Sequence, residues 1–277
     1  MINAAKLLLN SELTTALAQL YCGEKHIYNY TFEPITKKQI DQLISLNLID
    51  DHLKITNYKV DYAAFEHYRQ ILHPGTLDHM LLQEIEENKV ILDLCSGPGA
   101  TVRALLGNQP KYIYAFDHDQ FSVELVNQLA ALMGVNNVHA KIADAYSLPV
   151  EDQSVDAVVN RVSLQYLDVN KTLDEVNRVL RNKGCAIFVV HGSGYVIYSA
   201  LKRDLRTAII ILIRGLLFNI TKSQAHPKEI YLTPKTLIYL LKKRGFSDFS
   251  ILHTEKTLNY GPFPLYFALI CYKNKKE

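Results

Sequence analysis

Within these 277 residues, one short segment concentrates groups that could hold a ligand: Ile91-Leu92-Asp93-Leu94-Cys95-Ser96-Gly97-Pro98-Gly99. An apolar run leads into a glycine loop, and helix-forming residues follow from Ala100. Glycines let a backbone pass close beneath a ligand, and the first turn of a helix has N–H donors to spare. Such a loop can serve many nucleotides, so its neighbours must discriminate. The dinucleotide fingerprint G-x-G-x-x-G needs glycine at position 102, which is Val102, and no G-x-x-x-x-G-K-[ST] run is present. Asp93 would repel a pyrophosphate but suits a ligand that lacks phosphate and carries an ammonium. Asp117, in Ala115-Phe116-Asp117-His118, ends a second apolar run, where a carboxylate can take both hydroxyls of a ribose. Asp144-Ala145 follows a third, where a carboxylate can accept from an exocyclic amine of adenine.

Further residues at strand ends are candidates. Asn160-Arg161 closes a fourth apolar run and His191 a fifth, in Val189-Val190-His191-Gly192. Histidine titrates near neutrality, so His191 could take a proton from an acceptor, or it could simply close the strand. Cys95 has no histidine beside it in sequence and reads as a small hydrophobe rather than a nucleophile. The ten histidines show neither H-x-x-x-H nor H-E-x-x-H spacing, and the four cysteines form no C-x-x-C pair. No metal site or disulfide framework is expected, which fits a reducing compartment.

The elements that position these residues follow from periodicity. Apolar runs at 90–94, 112–116, 138–142, 156–160 and 186–190 read as buried strands, with helical stretches between them and a turn at Asn182-Lys183-Gly184. Strands alternating with helices indicate a parallel sheet covered on both faces. A helix at 234–243 and strands at 249–257 and 264–273 would close it with a hairpin. Residues 3–21 read as a helix; Thr36 caps another over 37–48, and Leu53-Lys54-Ile55-Thr56 follows as a short strand, together suggesting a winged-helix-like unit. Helix resumes over 61–86, interrupted at His73-Pro74-Gly75. Between 199 and 221 an apolar stripe of Leu205, Ala208, Ile209, Leu212, Ile213, Leu216 and Leu217 reads as a packed helix, a cover over the acceptor, or a basic interfacial helix.

The stretch from Val90 to about Val190 resembles a class I S-adenosylmethionine-dependent methyltransferase, of the ubiquinone/menaquinone-type small-molecule group. The resemblance runs through Asp93-x-x-x-Gly97-x-Gly99, Asp117, Asp144-Ala145-x-x-Leu148-Pro149, Ser154-Val155-Asp156-Ala157-Val158, Leu164-Gln165-Tyr166-Leu167 and Glu175-Val176-x-Arg178-Val179-Leu180-x-x-x-Gly184. Cys95 replaces the first glycine of the family's Asp-x-Gly-x-Gly-x-Gly pattern. The resemblance implies an α/β, Rossmann-like doubly wound, mainly parallel sheet with an antiparallel C-terminal hairpin. It implies S-adenosyl-L-methionine as cofactor and S-adenosyl-L-homocysteine as product. The implied cofactor-binding set is Asp93, Leu94, Cys95, Ser96, Gly97, Gly99, Asp117, His118, Asp144, Ala145, Asn160 and Tyr68, with Asp93 on the methionine ammonium and Tyr68 over the donor. His191 is the candidate catalytic residue.

On this reading residues 86–277 form the methyltransferase domain, with a lid-like insertion at 194–227, and residues 1–85 a mostly helical region for substrate choice or dimerisation. Lys+Arg 30 against Asp+Glu 28 gives a net charge of +2, too balanced for a protein living on phosphate contacts. No Asn/Asp-Pro-Pro-Tyr/Phe motif follows the fourth strand, where Asn160-Arg161-Val162-Ser163 stands instead. Methyl transfer to a small apolar acceptor therefore leads. An RNA methyltransferase with a winged-helix reader and a non-catalytic S-adenosylmethionine-binding module are the alternatives. No apolar run reaches the roughly 20 residues that span a bilayer, and the N-terminus lacks a signal-peptide pattern. A cytoplasmic protein is expected, with peripheral membrane contact and a homodimer left open.

Overall fold

The structure is a computed structural model and describes residues 2–25, 30–202, 204–224, 227–253, 259–260 and 262–273. Strands β1 (Val90–Leu94), β2 (Tyr112–Asp117), β3 (Val138–Ile142), β4 (Val155–Arg161) and β5 (Leu180–His191) pair in parallel. Strands β6 (Phe246–His253) and β7 (Tyr266–Lys273) complete the sheet, β7 antiparallel to both β5 and β6. The order is 3-2-1-4-5-7-6, the doubly wound sheet with an antiparallel edge that the sequence implies. Chain order reverses direction between β1 and β4, so the loops leaving their carboxyl ends part and open a crevice there.

Alternation along each strand divides the core between two faces. Leu92, Phe116, Val158 and Phe188 face helices α8 (Val169–Val179) and α11 (Pro234–Lys242). Ile91, Ile113, Val159 and Ile187 face α5 (Thr76–Gln83), α6 (Ala100–Leu105) and α7 (Gln120–Leu132). Each fully buried aliphatic side chain contributes about 1.5–3 kcal/mol. The N-terminal helices α1 (Ile2–Leu9), α2 (Ser11–Glu24), α3 (Lys37–Ser45) and α4 (Tyr58–His67) pack around their own core, which also takes Leu125 and Leu129 of α7. They are thereby anchored on the sheet layer.

Local chemistry moved several expected boundaries. The single helix expected over 3–21 is two, because Asn10 leaves the helical region and its side chain accepts from Leu13 N, capping α2. Thr36 and Gln39 form a reciprocal capping box at the start of α3. The strand expected at 53–56 is a single bridge between Ile49 and Ile55. Asp50 there accepts from the backbone of both His52 and Lys54, and Leu53 turns with φ of 61°. The turn expected at 182–184 lies inside β5 as a bulge, with Lys183 at φ 65° where the β4 register shifts. Beyond His253 the expected strand runs to 257, and residues 254–258 lie outside those described. Helices α9 (Ser193–Lys202) and α10 (Leu205–Thr221) lie between β5 and α11. No helix among the described residues is long and apolar enough to cross a membrane.

Candidate active site

The loop after β1 is shaped by three residues in the left-handed region: Cys95 at φ 60°, Gly97 at 49° and Gly99 at 82°. A non-glycine residue there costs roughly 1–2 kcal/mol, which is the physical reason glycine is usual at the position Cys95 holds. A Cβ built on Gly99 would lie 2.6 Å from Val126 Cγ2, so this glycine lets α6 and α7 approach. A Cβ on Gly97 would meet no atom within 4 Å, so this glycine keeps space clear rather than relieving a contact. Asp117 pins the loop from β2: its Oδ2 accepts from Gly97 N at 2.8 Å and its Oδ1 from Asp119 N at 2.9 Å. His67, buried in α4, pins it from above through Nε2 at 3.0 Å from Pro98 O. Burial pushes the His67 ring down to about 4, so it is neutral. With Arg103 donating toward Nδ1 at 3.4 Å, the ring proton sits on Nε2.

Beneath the loop Asp93 is 1% exposed, and its Oδ2 has no hydrogen-bond partner among the described residues. Burial pushes its carboxyl up to about 7; Arg161 opposes the shift and Asp117 reinforces it. The hydroxyl of Ser96 is likewise buried and unpartnered. The loop thus holds a carboxylate and a hydroxyl that lack the donors they need, beside a backbone kept clear at Gly97.

Above this floor lies a cavity of about 420 Å³. Its floor is Cys95–Pro98 with Thr101. One wall is Tyr21, Tyr62 and Phe65 from the N-terminal helices with Tyr30 from the loop between α2 and α3, and the other is Tyr166, Tyr195, Tyr198 and Tyr266. Charges enter in pairs. Glu66 takes Arg69 Nε at 3.0 Å and Nη2 at 2.7 Å, and also Gln70 Nε2 at 2.8 Å. Burial alone would raise the Glu66 carboxyl, but Arg69 outweighs it and holds it below its ordinary value. Arg161 at the end of β4 donates to Asp78 at 2.6 Å, while its Nε is buried without a partner. Tyr166 donates its hydroxyl to Glu229 Oε1 at 3.1 Å. Burial, Tyr195 and Glu229 together raise the phenol well above its ordinary value, so Tyr166 stays protonated.

The candidate residues fall into three places. Cys95, Ser96 and Gly97 line the cavity itself. Asp93, Leu94, Gly99, Asp117 and Asn160 do not line the cavity and stand behind or beside it: Asn160 is buried and donates to Leu94 O at 2.9 Å and to Ser163 Oγ. His118 and Asp144 are exposed at the ends of β2 and β3, with Ala145 buried behind Asp144. The Cys95 thiol is pushed by burial up to about 12, which keeps it an uncharged liner.

Two placements differ from expectation. Tyr68 lies in a π-helical turn, Tyr68–Leu72, and its ring is buried against Phe32 and His73 rather than lining the cavity. The turn rotates Tyr68 inward and presents Arg69 and Gln70 instead. His191 is 4% exposed and stacked under Tyr195 at 3.4 Å between ring centroids, so Tyr195 is the ring that meets the cavity. Glu66, Arg69 and Gln70 were not singled out from sequence; their only signal is the three- and four-residue spacing that lets Glu66 meet both. Nothing in the sequence signals Glu229.

Residues 91–184 match the family model described as a methyltransferase domain. An uncharacterized methyltransferase of Schizosaccharomyces pombe is 30% identical over 129 residues, 46% of this chain and 49% of that protein. The uncharacterized methyltransferase YcgJ of Bacillus subtilis is 33% identical over 102 residues, 36% of this chain and 40% of its own. This chain thus spans about half or less of the length of the curated relatives it matches. The fold superposes on a SAM-dependent methyltransferase of Methanosarcina mazei with TM-score 0.52 and 22% identity, covering 71% of this chain and 98% of that one.

Residues 91–184 form a methyltransferase domain, on a fold shared with S-adenosylmethionine-dependent methyltransferases. The residues present fit that cofactor. The orphaned oxygen of Asp93 and the Ser96 hydroxyl would receive donors from the methionine ammonium. The clear face of Gly97 would admit the ligand without a side chain in its way. Asp117 Oδ2 retains a lone pair beyond its bond from Gly97 N, where a ribose hydroxyl would bind, while Oδ1 takes Asp119 N and lies 3.3 Å from His118 Nδ1.

Proposed function

We propose that this protein transfers a methyl group from S-adenosylmethionine to a small, largely apolar acceptor held between the two tyrosine walls. The observation that carries this reading is the cavity of about 420 Å³ resting directly on the methyltransferase loop. Its volume suits a small molecule. The bound cofactor supplies an already activated methyl group, so the protein's task is alignment and exclusion of water. The eight aromatic rings exclude water and give a flat acceptor broad contact, and their faces tolerate positive charge. The Tyr166 hydroxyl, held by Glu229 and Tyr195, is a fixed polar group in the cavity wall against which an acceptor's O–H or N–H would be oriented. In this reading His191 acts through Tyr195 and is a positioning residue. Asp93 and the loop 95–99 bind the donor, with Asp117, His118 and Asp144-Ala145 along its nucleoside end. A cytoplasmic location belongs to the same reading, supported by four free cysteines.

The test has two stages. Calorimetry with S-adenosylhomocysteine should show saturable binding that Asp93→Ala weakens. Labelled S-adenosylmethionine mixed with cell extract should then yield a methylated small molecule, identified by mass spectrometry. Label passing into RNA or protein would overturn the small-acceptor reading, and binding without any transfer would favour a non-catalytic module.

A further inference from the structure

Helix α10 does not bury the apolar stripe that its sequence suggests. Ala208, Ile211, Gly215 and Phe218 face inward, and a Cβ on Gly215 would lie 2.5 Å from Tyr231 O, so this face is pressed against the chain near residue 231. Leu205, Ile209, Leu212, Ile213, Leu216, Leu217 and Ile220 face outward, each between 43% and 69% exposed. At 100° per residue these seven cover an arc of about 140° along some 25 Å of helix. Scattered exposed aliphatics need no explanation, but a continuous ridge of this size does.

The charges around the ridge favour one occupant. Residues 199–222 contain Lys202, Arg203, Arg206, Arg214 and Lys222 against a single acid, Asp204. Asp204 is already engaged as the helix cap, accepting from Thr207 N and Oγ1. Arg206 and Arg214 have no carboxylate partner among the described residues. A second copy packed antiparallel across the ridge would set Arg214, near the helix midpoint, beside its own duplicate with no acid to pair either one. An anionic bilayer surface meets both requirements, since acyl chains cover the ridge and headgroups pair with the arginines.

We propose that α10 is an in-plane docking helix for anionic lipid membranes. The ridge is continuous with the cavity wall: α9 packs on α10, carries Tyr195 and Tyr198 into the cavity, and exposes Leu201 in its last turn. An apolar acceptor could therefore be drawn from the bilayer along α9. That consequence rests on the proposed function, whereas the docking itself does not.

Vesicle flotation tests it, using phosphatidylcholine alone and phosphatidylcholine with about 30 mol% phosphatidylglycerol. The full chain should bind the anionic vesicles at least about tenfold more strongly, with binding that weakens as salt rises. Ile213→Glu with Leu216→Glu should lower binding to both vesicles by about tenfold or more. Arg206→Gln with Arg214→Gln should remove the anionic preference and leave the apolar component. S-adenosylhomocysteine affinity of these variants should stay at the parent value, which shows that the fold and cofactor site are intact whatever the vesicles report. If Ile213→Glu with Leu216→Glu loses that affinity, Ile220→Gln at the outer end replaces it. No flotation with either vesicle would overturn the proposal. So would binding indifferent to these substitutions, or a dimer in light scattering that Leu216→Glu dissociates.

Discussion

Replacing Asp93 by Asn removes a charge that the folded apo protein holds at a cost and that the cofactor needs. The carboxyl is pushed by burial from 3.8 to about 7, so the folded form binds its proton more tightly than the unfolded chain does. Stability from this group is therefore fully present below about pH 4 and is lost as pH rises through 7. A shift of this size corresponds to about 4 kcal/mol once the group is fully ionised, an upper figure because relaxation and water entry lower it. The asparagine keeps the shape without the charge. Denaturant unfolding of both proteins at several pH values should give similar stabilities near pH 4. By pH 8 the variant should be the more stable by about 2–4 kcal/mol. Affinity for S-adenosylhomocysteine should move the other way and fall at least about tenfold at pH 8, since a charge-assisted bond to the ammonium is lost. A variant less stable at pH 8 that still binds at parental affinity would refute the reasoning, because the Asp93 charge would then be neither costly nor used.

Four other outcomes follow from the same geometry. His67 has its ring pushed down from 6.5 to about 4 by burial, so stability from its neutral form is full above pH 6.5 and lost as pH falls through 4. His67→Gln should narrow its stability gap from the parent over that window, opposite in sign to the Asp93 effect, in the same unfolding series. Gly99→Ala, with its Cβ 2.6 Å from Val126, should cost roughly 1–3 kcal/mol in thermal unfolding. Gly97→Ala meets no atom and should cost about 1 kcal/mol in stability, yet it should weaken S-adenosylhomocysteine binding in calorimetry far more than that cost explains. Tyr166→Phe should lower methyl transfer by about 10–100-fold with cofactor affinity unchanged, as measured by label incorporation in the extract assay.

The methyltransferase loop and the central strands were legible in the sequence because their signals are local. Val90–Leu94 is an apolar run bounded by a glycine loop, and Asp93, Asp117 and Asp144 fall at strand ends wherever strands and helices alternate. The third-glycine position occupied by Val102 likewise separated this loop from a dinucleotide site without any coordinates. Side-chain direction was not legible. Tyr68 and Arg69 are adjacent, and a π-helical turn whose signature no periodicity carries decided which of them meets the cavity. The cavity walls bring Tyr21 and Tyr62 opposite Tyr195 and Tyr266, residues up to 245 positions apart that only the docking of the N-terminal helices onto the sheet layer makes neighbours. The stripe on α10 shows the limit most plainly. That helix is apolar around most of its circumference, so the 3.6-residue period offers more than one candidate inner face. Gly215 settled the choice, because its missing side chain is what lets residue 231 close on that side and leaves the leucines and isoleucines of the other facing out.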